Sequence, residues 1–182
     1  MKRNLIKSVL IAIVIGSAAL PASAAGTFGL KAVYLMPSEQ AFKDVYGPGL
    51  MYGAELGLKI GGQLGLWLEG MYFKGTGELT YTKEATTLTL MPVGAGLRYD
   101  FTKGPLLVYA GAGGRFYSYK EKSDPLGEAS KSGFGFVGFA GASYRIVKGF
   151  LIDVRAGYSY CKLTPADFAV NVGGLELGGG LV

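Results

Sequence analysis

The sequence predicts an all-β protein: an eight-stranded, antiparallel, up-and-down transmembrane β-barrel behind a cleaved signal peptide. Three observations carry that expectation. Apolar residues alternate with glycine and scattered charges along segment after segment, the period-2 pattern that places two sets of side chains on opposite faces of a sheet. The connections alternate between tight Gly- or Pro-bearing turns and longer polar stretches, as a closed meander with short turns at one end requires. Composition agrees, with 49% hydrophobic and only 17% charged residues, 31 Gly, 12 Tyr and 10 Phe. That glycine has no three-residue period, which excludes collagen, and the apolar content excludes disorder.

Residues 1–24 begin with Lys2, Arg3 and Lys7, continue through the apolar run 9–20 and close on Pro21-Ala22-Ser23-Ala24. A basic start, a short apolar core and a small-x-small end make a secretory signal, with cleavage expected after Ala24. The apolar run is short of the ~20 residues of a bilayer-spanning helix. Residues 25–182 then form the barrel domain. The net charge of +5 falls to +2 once the three leader cations are gone. No element carries a basic stripe, so nucleic acid is not an expected partner. Cys161 is the single cysteine and there is no histidine, which excludes an intrachain disulfide.

The first strand puts Phe28, Leu30, Ala32, Tyr34 and Met36 on one face with Lys31 opposite, and a polar loop is expected over 37–49. The second, 51–60, sets Tyr52, Ala54, Leu56 and Leu58 against Gly53, Glu55, Gly57 and Lys59. After the turn Gly61-Gly62-Gln63, the third (64–73) sets Leu64, Leu66, Leu68 and Tyr72 against Gly65, Trp67, Glu69 and Met71. A polar connection, 74–85, leads into the strand pair 87–119, turned at Thr102-Lys103-Gly104-Pro105. There Val93, Ala95, Leu97 and Tyr99 oppose Gly94, Gly96 and Arg98. Across the turn Val108, Ala110, Ala112 and Phe116 oppose Tyr109, Gly111, Gly113 and Arg115. The longest loop is expected over 120–132.

The sixth strand, 133–146, sets Phe134, Phe136, Ala140, Ala142, Tyr144 and Ile146 against Gly135, Gly141, Ser143 and Arg145. The seventh, 150–162, sets Ile152, Val154, Ala156, Tyr158 and Tyr160 against Asp153, Arg155, Gly157, Ser159 and Cys161. A loop over 163–167 precedes the eighth, 168–182, with Leu175, Leu177 and Leu181 opposite Gly174, Glu176, Gly178 and Gly180. Each strand reaches the ~9–11 residues of a tilted crossing. No helical period competes after the leader.

The apolar face is expected to meet lipid. The polar face is mostly glycine, which suits the cramped inside of a small barrel better than a wetted exterior. Aromatic residues gather at the ends of the apolar face: Tyr34, Tyr52, Tyr72, Phe116, Phe134 and Tyr160 at the loop end, Tyr99 and Tyr144 at the turn end. Two such belts match two lipid–water interfaces. A one-residue slip would turn Arg98, Arg115 or Arg155 into lipid at roughly 2–4 kcal/mol each, which pins the register.

The leader, the eight alternating strands and the segments PVGAGLRYDF, VYAGAGGRFY and GFGFVGFAGASYR resemble the small outer-membrane β-barrel family of OmpA/OmpX-like barrels. Such barrels usually end on an aromatic residue, whereas this chain ends Gly180-Leu181-Val182. The resemblance implies residence in the outer membrane, contact with outer-membrane lipid and lipopolysaccharide, and passage through the barrel-assembly machinery. A monomer is expected, since eight strands close without a partner.

The expected interior charges are Lys31, Glu55, Glu69, Arg98, Arg115, Arg145, Asp153, Arg155 and Glu176, with Lys59 near a strand end. Both signs occur, which favours a paired plug over a single-sign selectivity ring. A narrow polar path for ions or small solutes is the alternative. A Ser–His or Asp–His site would need an imidazole, and one cysteine without histidine cannot hold zinc. No catalytic residue, metal site or cofactor is therefore expected. The carboxylates Glu39, Asp44, Glu121, Asp124 and Glu128 read as solvated loop charges. The expected role is structural or surface-related, with loop-mediated recognition as a third reading resting on a contact patch of Phe42, Val45 and Tyr46.

Overall fold

The computed structural model describes residues 26–78, 85–123, 127–164 and 169–182; the expected leader, and with it Asp124, lies outside them. The strands are β1 (Gly26–Pro37), β2 (Gly49–Gly61), β3 (Leu64–Glu78), β4 (Ala85–Asp100), β5 (Leu106–Ser123), β6 (Gly127–Val147), β7 (Phe150–Tyr160) and β10 (Gly174–Leu181). These eight close into one antiparallel barrel in the order β1-β10-β7-β6-β5-β4-β3-β2. The seam is β1 against β10, paired from Leu30 with Leu181 to Pro37 with Gly174. A helix, α1 (Gln40–Tyr46), and a separate two-stranded ladder of β8 (Lys162–Leu163) and β9 (Val170–Asn171) sit at the loop end.

The two faces fall as their alternation requires. Leu30, Leu66, Leu68, Val93, Leu97, Val154 and Leu177 stand exposed around the outside. In water so broad an apolar band would drive association; in a bilayer it is the lipid contact. The tight turns β2–β3 and β6–β7 place Gly62 at φ 58° and Gly149 at φ 93°, a left-handed backbone that side-chain-bearing residues resist.

Several connections differ from expectation. The stretch expected as the longest loop, 120–132, is mostly strand: β5 runs to Ser123 and β6 starts at Gly127, paired at Lys120–Ser130 and Lys122–Glu128. β3 likewise runs on to Glu78 instead of stopping at Phe73. The loop 37–49 contains the seven-residue α1. The last strand begins at Gly174, because Val170 and Asn171 pair with Leu163 and Lys162 instead.

The strand extensions share one physical cause. Below the loop-end aromatic belt the outer face is apolar and the inner face polar; above it the two exchange character. On β5 the outward Ala110, Ala112 and Phe116 give way to Ser118, Lys120 and Lys122, while the inward Arg115 gives way to the buried Tyr117 and Tyr119. On β4 the outward Val93 gives way to Thr89 and Thr87, and the inward Gly94 to the buried Leu90 and Leu88. Above the membrane water lies outside, so the sheet turns its apolar side inward. At 21 residues β6 exceeds the ~9–11 needed to cross by about ten.

Candidate functional site

The lumen is filled in layers. Toward the loop end, Val33, Leu35, Met51, Met71, Phe73, Leu88, Leu90, Tyr117 and Val172 form one buried apolar cluster, into which α1 inserts Phe42. Phe42 is 2% exposed, so it is an anchor and not part of an outward contact patch. Tyr46 holds α1 to the wall by donating to Glu121, which also accepts from Tyr119 at 2.6 Å and Thr86 at 3.2 Å. Burial and these hydrogen bonds push the Tyr46 and Tyr119 phenols well above their ordinary range. Glu121, expected as a solvated loop charge, is the latch of this layer.

Beneath lies the charge network. Glu55 and Glu69 are direct cross-strand partners on β2 and β3, a like-charge pair that destabilises a sheet when left alone. Arg155 reaches both, with Nη1 at 3.1 Å from Glu55 and Nη2 at 2.9 Å from Glu69. Arg115 forks between Glu69 (Nε–Oε1, 2.6 Å) and Glu176 (Nη2–Oε2, 3.0 Å). Planar guanidinium suits such two-carboxylate bridging. Lys31 closes the chain, 2.7 Å from Glu55 and 3.4 Å from Asp153. Asp153 also accepts from Tyr109 and Ser143, each at 2.7 Å.

The network is dry. The side chains of Arg115 and Glu69 are both 0% exposed. Trp67 is packed as closely: added Cβ atoms on Gly96 and Gly113 would come within 2.8 and 2.6 Å of its ring. Those glycines are therefore the space the indole occupies. Its Nε1 donates to the Leu97 carbonyl at 3.2 Å, and its ring meets Phe139 edge-on at 5.4 Å.

Of the nine expected interior charges, Lys31, Glu55, Glu69, Arg115, Asp153, Arg155 and Glu176 come together in this network. Arg98 lies apart, paired with Asp100 at 2.8 Å and stacked 3.6 Å over the Tyr109 ring toward the turn end. Arg145 does not join the packed interior. It is exposed at the turn-end mouth, beside the β6–β7 register shift. Lys59 is exposed there too. Cys161 is buried and unpaired, and burial pushes its thiol up to about 11.

Of the aromatic residues, Tyr34, Tyr52, Phe116, Phe134 and Tyr160 are exposed at the loop end, and Tyr99 and Tyr144 at the turn end. Tyr72 is half-buried because its ring leans on Tyr52 at 5.4 Å. Sequence reasoning gave no role to Tyr109, Ser143 or the Glu121 latch. For Tyr109 and Ser143 a signal existed, since each is a polar side chain in an inward position among glycines. Among the described residues no group of three or more His, Cys, Asp or Glu side chains is placed to hold a metal ion.

A closed ring of eight strands, apolar outside and locked by ion pairs within, defines a membrane-spanning β-barrel whose lumen is packed with its own side chains. The model of the outer membrane protein beta-barrel domain matches residues 9–179; the chain belongs to that family and resides in the outer membrane. The solved Neisserial surface protein A is 21% identical with a TM-score of 0.64, over 87% of this chain and 97% of that one. Outer membrane protein W of E. coli is 16% identical with a TM-score of 0.54, over 86% and 97%. Ail, the attachment invasion locus protein of Yersinia pestis solved with the heparin analogue sucrose octasulfate, is 18% identical with a TM-score of 0.51, over 87% and 96%. At these identities the likeness is one of fold. No curated protein sequence matches the chain.

Proposed function

We propose that this protein is a closed, non-enzymatic wall element of the outer membrane that carries a small folded cap above the surface. The observation behind this reading is the dry charge network: Arg115 and Glu69, with no side-chain exposure, block the lumen at mid-height. The cap follows from the extended β3–β6 sheet, whose apolar inner side is stoppered by α1. Its outer wall carries Lys74, Thr89, Lys120 and Ser130 as one cross-strand row just above the belt. Cations and hydroxyls at that height suit the sugar and phosphate headgroups of lipopolysaccharide. The absence of histidine argues against proton-shuttling hydrolysis.

Single-channel recording in a planar bilayer tests the closed lumen. The refolded mature chain is expected to insert and stay silent. Steady current from the wild type would replace this reading with that of a narrow channel. A second reading, recognition by the cap, draws on the β5–β6 hairpin, which projects well past the bilayer and is the part of the barrel that an external partner would meet first.

A further inference from the structure

The turn end of the lumen is not filled like the rest. It holds a cavity of about 150 Å³, comparable to cavities that accept a benzene-sized guest. Lys59 at the end of β2 and Arg145 at the end of β6 both line it. Three strands lie between them in either direction round an eight-membered ring, so they face each other across the mouth. Lys103 of the β4–β5 turn joins them.

The neutral lining is already satisfied from within. Thr102 donates to the Leu106 carbonyl and accepts from the Val108 amide. Gln63 donates to the Phe101 carbonyl and accepts from Tyr99. Asp100, the one acid in the lining, is bound to Arg98 at 2.8 Å. Among the described residues Lys59, Lys103 and Arg145 have no acidic partner within ion-pair distance. Three free cations therefore surround a recess whose other polar groups are occupied. Above it lies the packed charge network, and the recess opens at the turn end. Short turns mark the periplasmic end of such barrels, so the entrance faces the periplasm.

We infer that this vestibule binds a small oxyanion of the phosphate class from the periplasmic side. Convergent Lys and Arg donors around a partly enclosed space favour a compact, multiply charged oxygen ligand. The source is a free anion or the phosphate of an inner-leaflet lipid headgroup. The inference rests on the lumen being closed above the recess, but its test reads binding and not conductance. A conducting wild type would overturn the closed wall and leave the binding result to be judged separately.

The test is calorimetric titration of inorganic phosphate into the full mature barrel, folded in a neutral maltoside detergent. The comparison is with the Lys59→Gln/Lys103→Gln/Arg145→Gln variant. A Lys131→Gln/Lys162→Gln variant serves as a control for charge removal at the loop end. Saturable binding by wild type and control, weakened about tenfold for each vestibule cation removed, supports the site. No saturable binding by the wild type overturns it, as does equal loss in the loop-end control. Repeating the titration in nanodiscs of phosphatidylglycerol and of phosphatidylcholine separates the sources. Exclusion of phosphate by the anionic lipid alone assigns the recess to a headgroup, and equal binding in both assigns it to a free anion. All the variants change exposed residues, and an unheated gel shift confirms that each barrel has closed.

Discussion

Arg115 is the side chain whose loss the lumen should feel most. Its guanidinium serves Glu69 and Glu176 together, and all three side chains are at most 3% exposed. Replacing it by Met keeps most of the volume and removes the charge. Glu69 would still hold Arg155 at 2.9 Å. Glu176 would keep no ion pair among the described residues, because both of its contacts are to Arg115. An uncompensated buried carboxylate costs about 3–5 kcal/mol, so Arg115→Met should destabilise by that amount. The consequence is an ordered rescue. Adding Glu176→Gln to Arg115→Met should restore more stability than adding Glu69→Gln, with a coupling energy of about 1–3 kcal/mol for residues 115 and 176. Urea unfolding in phospholipid vesicles, followed by Trp67 emission and by unheated gel mobility, measures each term. A loss below about 1 kcal/mol, the range of a solvated surface pair, or equal rescue by the two glutamines, would refute a dry, Arg-centred lock.

Two further outcomes follow from the loop end. Phe42→Ala should release α1, since a seven-residue helix does not stand alone. Tryptic cleavage after Lys43 should then rise while the urea midpoint of the ring stays put, and unchanged cleavage would remove α1's role as a stopper. Cys161 should resist alkylation in the folded barrel, being buried and carrying at pH 8 about a hundredfold less thiolate than an ordinary cysteine. Its neutral thiol is the favoured form, so the labelling rate should climb with pH up to about 11; rapid labelling at pH 8 would mean that the β7–β10 corner opens.

Much of the barrel was legible because alternation has a period of exactly two and a slip is heavily penalised. The inward parity of Glu55, Glu69, Arg115 and Arg155 could be read residue by residue. Which carboxylate each arginine meets could not, since that depends on how neighbouring strands are staggered round the ring. Arg145 shows the other limit: parity gives direction but not height, and an inward residue at the rim is wet. The extended β5–β6 hairpin was hidden by its own polarity. Lys120 and Lys122 continue the same alternation, but lysine on the expected lipid face reads as a loop when lipid is assumed all the way up. The helix Gln40–Tyr46 is under two turns, too short for a period to show.

The exchange of faces along the strands also works as a waterline. If the barrel sank by one row, Lys74 and Lys120 would be drawn toward hydrocarbon; if it rose by one, Phe116 and Phe134 would be lifted into water. Both displacements are opposed, so the barrel rides at a set draught. A thicker or thinner bilayer should then deform around it, leaving the loop-end extension of the sheet at a constant height above the lipid.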